Sequence, residues 1–223
     1  MPLNVAQTLI WSHFVDDRMA AGTRTAYPER KQAMNTAFIG LDYIFDIVHP
    51  DGKLARGADY SRDEGLIERS NRTLAISHDK GWLTILVKVG FEPGYINHPK
   101  ESPFFGPAAE YGALALGAAG TDFHPAIRAD LADMVVVKPR VSAFYGTNLE
   151  SALRARKIER VVLAGVSTAW AVQAAARDAH DRDYQVVVVE DACGAATQAE
   201  HEASMVLLRR IAQVVTIKEL TEL

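Results

Sequence analysis

At 223 residues, 48% hydrophobic and 23% charged, the chain carries enough apolar material to bury a full core, and its composition excludes a disordered or fibrous protein. Lys and Arg number 24 against 28 Asp and Glu, a formal net charge of -4, and no basic run could track a phosphate backbone, so nucleic acid is not an expected partner. A single cysteine, Cys193, excludes an intramolecular disulfide and a thiolate zinc site.

The chain reads as one domain over residues 1–223, with residues 1–35 as an N-terminal extension. The first apolar stretch is broken by Asn4, Gln7, Ser12 and His13 and followed by Asp16 and Asp17, which fits neither a signal peptide nor a membrane anchor. No later window reaches the roughly 18 uninterrupted apolar residues of a spanning helix. A cytoplasmic protein without membrane contact is therefore expected.

The first apolar run, 37–41, predicts a strand halted by Asp42, and residues 63–80 have helical spacing closed by Lys80 and Gly81. A second strand is predicted over 83–89. The segment 92–133 is dense in Pro, Gly and aromatic residues and too long for a simple connection. It is expected to be a lid or an oligomer contact, and its Ala-rich centre could form a helix. Strands are then predicted at 134–137, 161–164, 186–189 and 214–217, separated by helices at 148–157, 168–181 and 199–210. Short apolar runs without alternation mark strands covered on both faces, so the fold class is α/β, with a parallel sheet, right-handed crossovers and helices on both faces.

In such a sheet the ligand sits beyond the carboxyl ends of the strands, which directs attention to Asp42, Lys138, the turn 165–171, and Glu190 with Asp191. Each of these alone is better explained as a helix cap or an ion-pair partner than as a catalytic group. An acid and an amine brought to one edge shift each other's proton affinity and make a candidate catalytic pair.

Phe38-Ile39-Gly40-Leu41-Asp42, Lys138-Pro139-Arg140-Val141-Ser142-Ala143-Phe144 with Thr147-Asn148-Leu149, Ala164-Gly165-Val166-Ser167-Thr168, and Glu190-Asp191-Ala192 resemble the isochorismatase-like hydrolases. The resemblance runs from about Thr36 to the C-terminus. It implies a three-layer αβα sandwich around a mainly parallel, Rossmann-like sheet of about six strands, assembled as a homo-oligomer, dimer or tetramer. It also implies a small-molecule substrate, no cofactor, and an Asp, Lys, Cys triad. By motif, Asp42 takes the acid/base role, Lys138 supports it, and the nucleophilic position falls at residue 171.

That residue is Ala171, which has no nucleophilic atom. Cys193 follows the next predicted strand, where a buried inert thiol is the simpler reading. True isochorismatases resemble this family yet carry glycine at the corresponding position; there an aspartic acid protonates a vinyl ether and water adds to the oxocarbenium ion. Three readings follow: a cysteine-free hydrolase, a catalytically inactive member that binds a small molecule or serves in an assembly, and a cysteine hydrolase whose Cys was replaced by Ala. The neighbouring Ala169 and Trp170 also depart from the cysteine enzymes, which favours a natural variant over a single replacement.

The helix N-terminus after the fourth strand offers backbone N–H groups for an oxyanion, with Val166, Ser167, Trp170 and Ala171 as candidates. The resemblance also implies a non-proline cis peptide at Val166-Ser167. The hydroxyls of Ser167 and Thr168 could touch a ligand or simply cap the helix. Tyr43, Phe45, Phe91 and Trp170 are candidate pocket walls, and Phe45, where many relatives carry a polar residue, predicts a flat, apolar ligand. Gly112 and Gly117 have phosphate-loop spacing, but Ala118 and Ala119 replace the Lys and Ser/Thr, so a nucleotide site is rejected. Asp46 and His49 lack the second histidine of a zinc site, and no metal is expected.

Overall fold

The computed structural model describes residues 34–55 and 65–223; the predicted N-terminal extension lies outside the described residues except for its last two. In chain order the elements are β1 (Thr36–Leu41), α1 (Phe45–Val48), α2 (Leu66–Asp79), β2 (Leu83–Val89), β3 (Met134–Lys138), α3 (Leu149–Ala155), β4 (Arg160–Val166), α4 (Gln173–His180), β5 (Gln185–Gly194), α5 (Gln198–Leu208), β6 (Gln213–Val215) and α6 (Ile217–Leu220). The six strands form one sheet in the order β3-β2-β1-β4-β5-β6, every pairing parallel. All of β1 is buried, as expected of a strand roofed on both sides.

Handedness sorts the helices. The crossover through α2 steps from β1 to β2, while the one through α4 steps from β4 to β5 in the opposite direction, so right-handed connections put the two helices on opposite faces. α6 packs beside α2, and α5 beside α4. The direction of travel reverses between β1 and β4, and the crevice above that junction is where an open α/β sheet places its ligand. Among the described residues no helix is long and apolar enough to cross a membrane.

Three expectations need correcting. Residues 92–133 hold no α-helix; the chain turns through short 3-10 segments at Pro93–Tyr95, Gly106–Ala108, Ala119–Thr121 and Ala129–Leu131. Glycines break the Ala-rich centre, with Gly112 and Gly117 at positive φ of 59° and 84°. These turns are held by a small apolar cluster of their own that includes Ile44, Phe91, Phe105 and Leu114. Secondly, β5 continues through Gly194, so Glu190, Asp191 and Cys193 lie within the strand rather than beyond it. Glu190 pairs with Arg209 at 2.7 Å, and Asp191 accepts the Ile217 N–H at 2.9 Å; the two acids tie β5 to the segments that precede and follow β6. Thirdly, β6 stops at Val215, because Thr216 and Glu219 form a capping box that starts α6.

Candidate active site

β1 ends at Leu41, and the next residue, Asp42, turns out of the strand with φ 56° while its N–H still reaches the Val87 carbonyl of β2 at 2.9 Å. That turn aims the carboxylate along the carboxyl edge of the sheet. Its Oδ1 accepts the Val89 N–H at 2.9 Å and its Oδ2 meets Lys138 Nζ, from the end of β3, at 2.6 Å. The ammonium donates again to the Val141 carbonyl at 2.8 Å. Asp42 and Lys138 are 4% and 1% exposed, so both charges are desolvated and depend on each other. Burial raises the proton affinity of Asp42 above the ordinary carboxylate range, opposed by the Lys138 charge and by the hydrogen bonds it accepts.

Gly165 brings the third component in. Its φ is 145°, and a Cβ there would stand 2.4 Å from the Leu41 carbonyl oxygen, so only glycine lets β4 close against the end of β1. The chain then passes a cis peptide at Val166-Ser167 and enters a π-turn over Thr168–Val172 that leads into α4. Ala171 is 3% exposed and presents a methyl group.

Asp42, Lys138, Val166, Ser167, Trp170 and Ala171 line one cavity of about 300 Å³. The lid-like segment 92–133 supplies Phe104 and Phe105 to its wall. Trp170 and Phe104 pack with ring centres 4.7 Å apart and planes tilted by 40°, each about half exposed. The Ser167 hydroxyl is buried with no hydrogen-bond partner among the described residues. Of the backbone donors predicted for an oxyanion, the Trp170 N–H is turned back onto the Ser167 carbonyl at 3.1 Å and is not available.

Four residues expected to touch the ligand lie elsewhere. Tyr43 is buried in the core, where its hydroxyl donates to the Ala192 carbonyl at 2.7 Å and burial pushes its proton affinity up. Phe45 stacks on His49 at 4.2 Å, outside the cavity wall. Phe91 is buried behind Phe105, ring centres 5.5 Å apart. Thr168 Oγ1 is hydrogen-bonded to His201 Nδ1 at 3.0 Å and is fully buried away from the cavity. Asp46 is structural as well, its Oδ2 accepting the Leu114 N–H at 2.8 Å.

The sequence reading missed Arg140, Phe104, Phe105 and Glu200, all of which border the cavity. Arg140 follows Lys138 by two residues within the lysine motif, and Phe104 belongs to the aromatic-dense segment, so both signals were present without a direction for the side chain. Cys193 is absent from the cavity wall, buried, with its thiol pushed up to about 12 by desolvation.

The model of the isochorismatase domain matches residues 36–219. The chain is 33% identical over 165 residues to the uncharacterized isochorismatase family protein YecD of Escherichia coli O157:H7, covering 74% of this chain and 85% of that protein. It is 31% identical over 162 residues to the ureidoacrylate amidohydrolase RutB of Acinetobacter baylyi, covering 67% and 66%. Among solved structures, an isochorismatase family protein from Desulfovibrio vulgaris superposes with TM-score 0.76 at 26% identity, covering 85% of this chain and 97% of that one. The pyrazinamidase/nicotinamidase of Streptococcus mutans superposes with TM-score 0.68 at 26% identity, covering 81% and 99%. With a matching domain model, a shared six-stranded parallel sheet and hydrolases among its relatives, the chain belongs to the isochorismatase family of hydrolases.

Proposed function

We propose that this protein hydrolyses a small carbonyl- or carboxylate-containing compound without a protein nucleophile, using Asp42 as acid/base and Lys138 as its electrostatic partner. The observation that carries the reading is the buried 2.6 Å Asp42–Lys138 pair on the wall of a cavity that Ala171 also lines. By motif the family nucleophile would stand at residue 171, and a methyl group cannot attack. Neither of the other candidates replaces it: Cys193 is outside the cavity wall, and the Ser167 hydroxyl has no base bonded to it.

Water is then the nucleophile. Two N–H donors hold Asp42 as a carboxylate, which accepts a proton from water as the new C–O bond forms at the carbonyl carbon and its π pair moves to oxygen. When the bond to the leaving group breaks, Asp42 returns that proton to the leaving atom. With a vinyl ether the order reverses: the Asp42 proton goes to the vinyl carbon, water adds to the oxocarbenium ion and its lost proton restores Asp42, and the resulting hemiketal breaks its bond to the ether oxygen, its hydroxyl proton passing to the departing alcohol as the carbonyl forms. Burial brings the proton affinity of Asp42 toward the working pH, which serves both directions.

The test is turnover of isochorismate and of a panel of amides and carbamates by the parent, Asp42→Asn and Ala171→Cys. The expected result is parent activity that Asp42→Asn lowers by roughly 100-fold or more. For amides and carbamates the parent kcat/KM should fall as pH drops, because a protonated Asp42 cannot take a proton from water, and for isochorismate it should fall as pH rises, because an ionised Asp42 cannot give one; either midpoint lies above the ordinary carboxylate range. A parent that turns over nothing while Ala171→Cys gains amidase activity overturns the cysteine-free mechanism. A parent and Ala171→Cys that are both inert leave the binding-only alternative standing.

A further inference from the structure

We infer that Arg140 anchors a carboxylate of the ligand, which makes the cavity selective for a flat monocarboxylate; this rests on the cavity being the substrate site proposed above. Arg140 lies on the loop that leaves β3 and borders the cavity. Its Nη1 donates to the Pro139 carbonyl at 2.6 Å and the Asn97 carbonyl at 3.2 Å, which ties the planar group to the segment 92–133. Among the described residues its Nε and Nη2 have no hydrogen-bond partner and the guanidinium has no carboxylate counter-ion.

The charge count decides what that group is for. Lys138 is already neutralised by Asp42, and Glu200, the other acid on the cavity wall, is exposed and makes no ion pair with Arg140. One positive charge is thus left unmatched beside largely apolar walls, where an uncompensated ion is costly. A planar guanidinium whose Nε–Nη2 edge is free fits a carboxylate bidentately. A dianion would require a second unpaired cation, and the described residues of the cavity wall supply none. Phe104 and Trp170, both on the cavity wall with their rings tilted by 40°, give an apolar body aromatic faces to pack on. A volume of about 300 Å³ holds one small ring with its carboxylate.

Benzoate and benzamide have nearly the same shape and differ in charge, so calorimetric titration of each into the parent, Arg140→Met and Arg140→Lys isolates the anchor. The parent should bind benzoate at least about tenfold tighter than benzamide, which corresponds to about 1.4 kcal/mol. Arg140→Met should abolish the preference while changing benzamide affinity less than about threefold, and Arg140→Lys should retain part of it. Arg140→Lys also serves if the methionine variant does not fold, since it keeps the charge and loses only the fork. Binding of neither probe, equal binding of both, or a preference that persists in the Arg140 variants overturns the inference. The readout needs no turnover: a selective but inert protein overturns the proposed hydrolysis and keeps the anchor, whereas an active enzyme indifferent to charge does the reverse.

Discussion

Asp42 and Lys138 sit in a setting that stability alone does not favour, because two desolvated charges cost more than they regain unless their geometry is nearly ideal. Here each has a second partner, the Val89 N–H and the Val141 carbonyl, and together they border a cavity rather than filling one. Cys193 is the contrasting case. Burial pushes its thiol up to about 12, so in the folded chain it is neutral and enclosed. Alkylation by iodoacetamide at pH 8 should therefore be at least about 100-fold slower in native protein than in urea-unfolded protein. Between the ordinary thiol value and about 12 the folded chain holds a proton that the unfolded chain has lost, so stability should fall as pH rises through that window. Denaturant midpoints of the parent and Cys193→Ser between pH 8 and 11 read that slope, and the serine variant should lack its share of it.

At the level of elements, the site depends on two strand ends meeting. Gly165 permits the approach of β4 to β1, and any side chain there would strike the Leu41 carbonyl from a backbone conformation that disfavours it. Gly165→Ala should cost about 3 kcal/mol or more in urea unfolding and should displace the turn carrying Ser167 and Ala171. The loop after β3 is tethered in a different way: the Ser142 hydroxyl donates to the Asp178 carboxylate on α4, and Arg182 bonds Asp178 and Glu150 at 2.7 Å each. That tether sits next to Val141, whose carbonyl steadies Lys138. Asp42 and Lys138 were legible in the sequence because each directly follows an apolar run. Tyr43, Phe45, Phe91 and Thr168 were not, because proximity in sequence does not say toward which side of a strand end a side chain turns. Trp170 does line the cavity, whereas Phe45, the residue behind the expectation of a flat ligand, does not.

For the molecule as a whole, protection should follow the sheet. β1 and β4 are its central strands and almost wholly buried, while β3 is an edge strand with Val135 and Val137 exposed. Amide hydrogen exchange should accordingly be slowest in β1 and β4, faster in β3, and fastest in the 3-10 turns of residues 92–133. Equal protection across these regions would contradict that ordering.

Local patterning and residue chemistry sufficed for the succession of strands and helices, the parallel α/β class, the family motifs and the lack of a nucleophilic atom at residue 171. Only the tertiary structure decided the rest. Where β5 and β6 end depends on pairing and capping partners distant in the chain. Which residues wall the cavity depends on how segment 92–133 folds over the carboxyl edge of the sheet, and that is how Phe104 and Arg140 come to stand beside Asp42, Lys138 and Trp170. Those placements are set by contacts between elements, which no single stretch of sequence encodes.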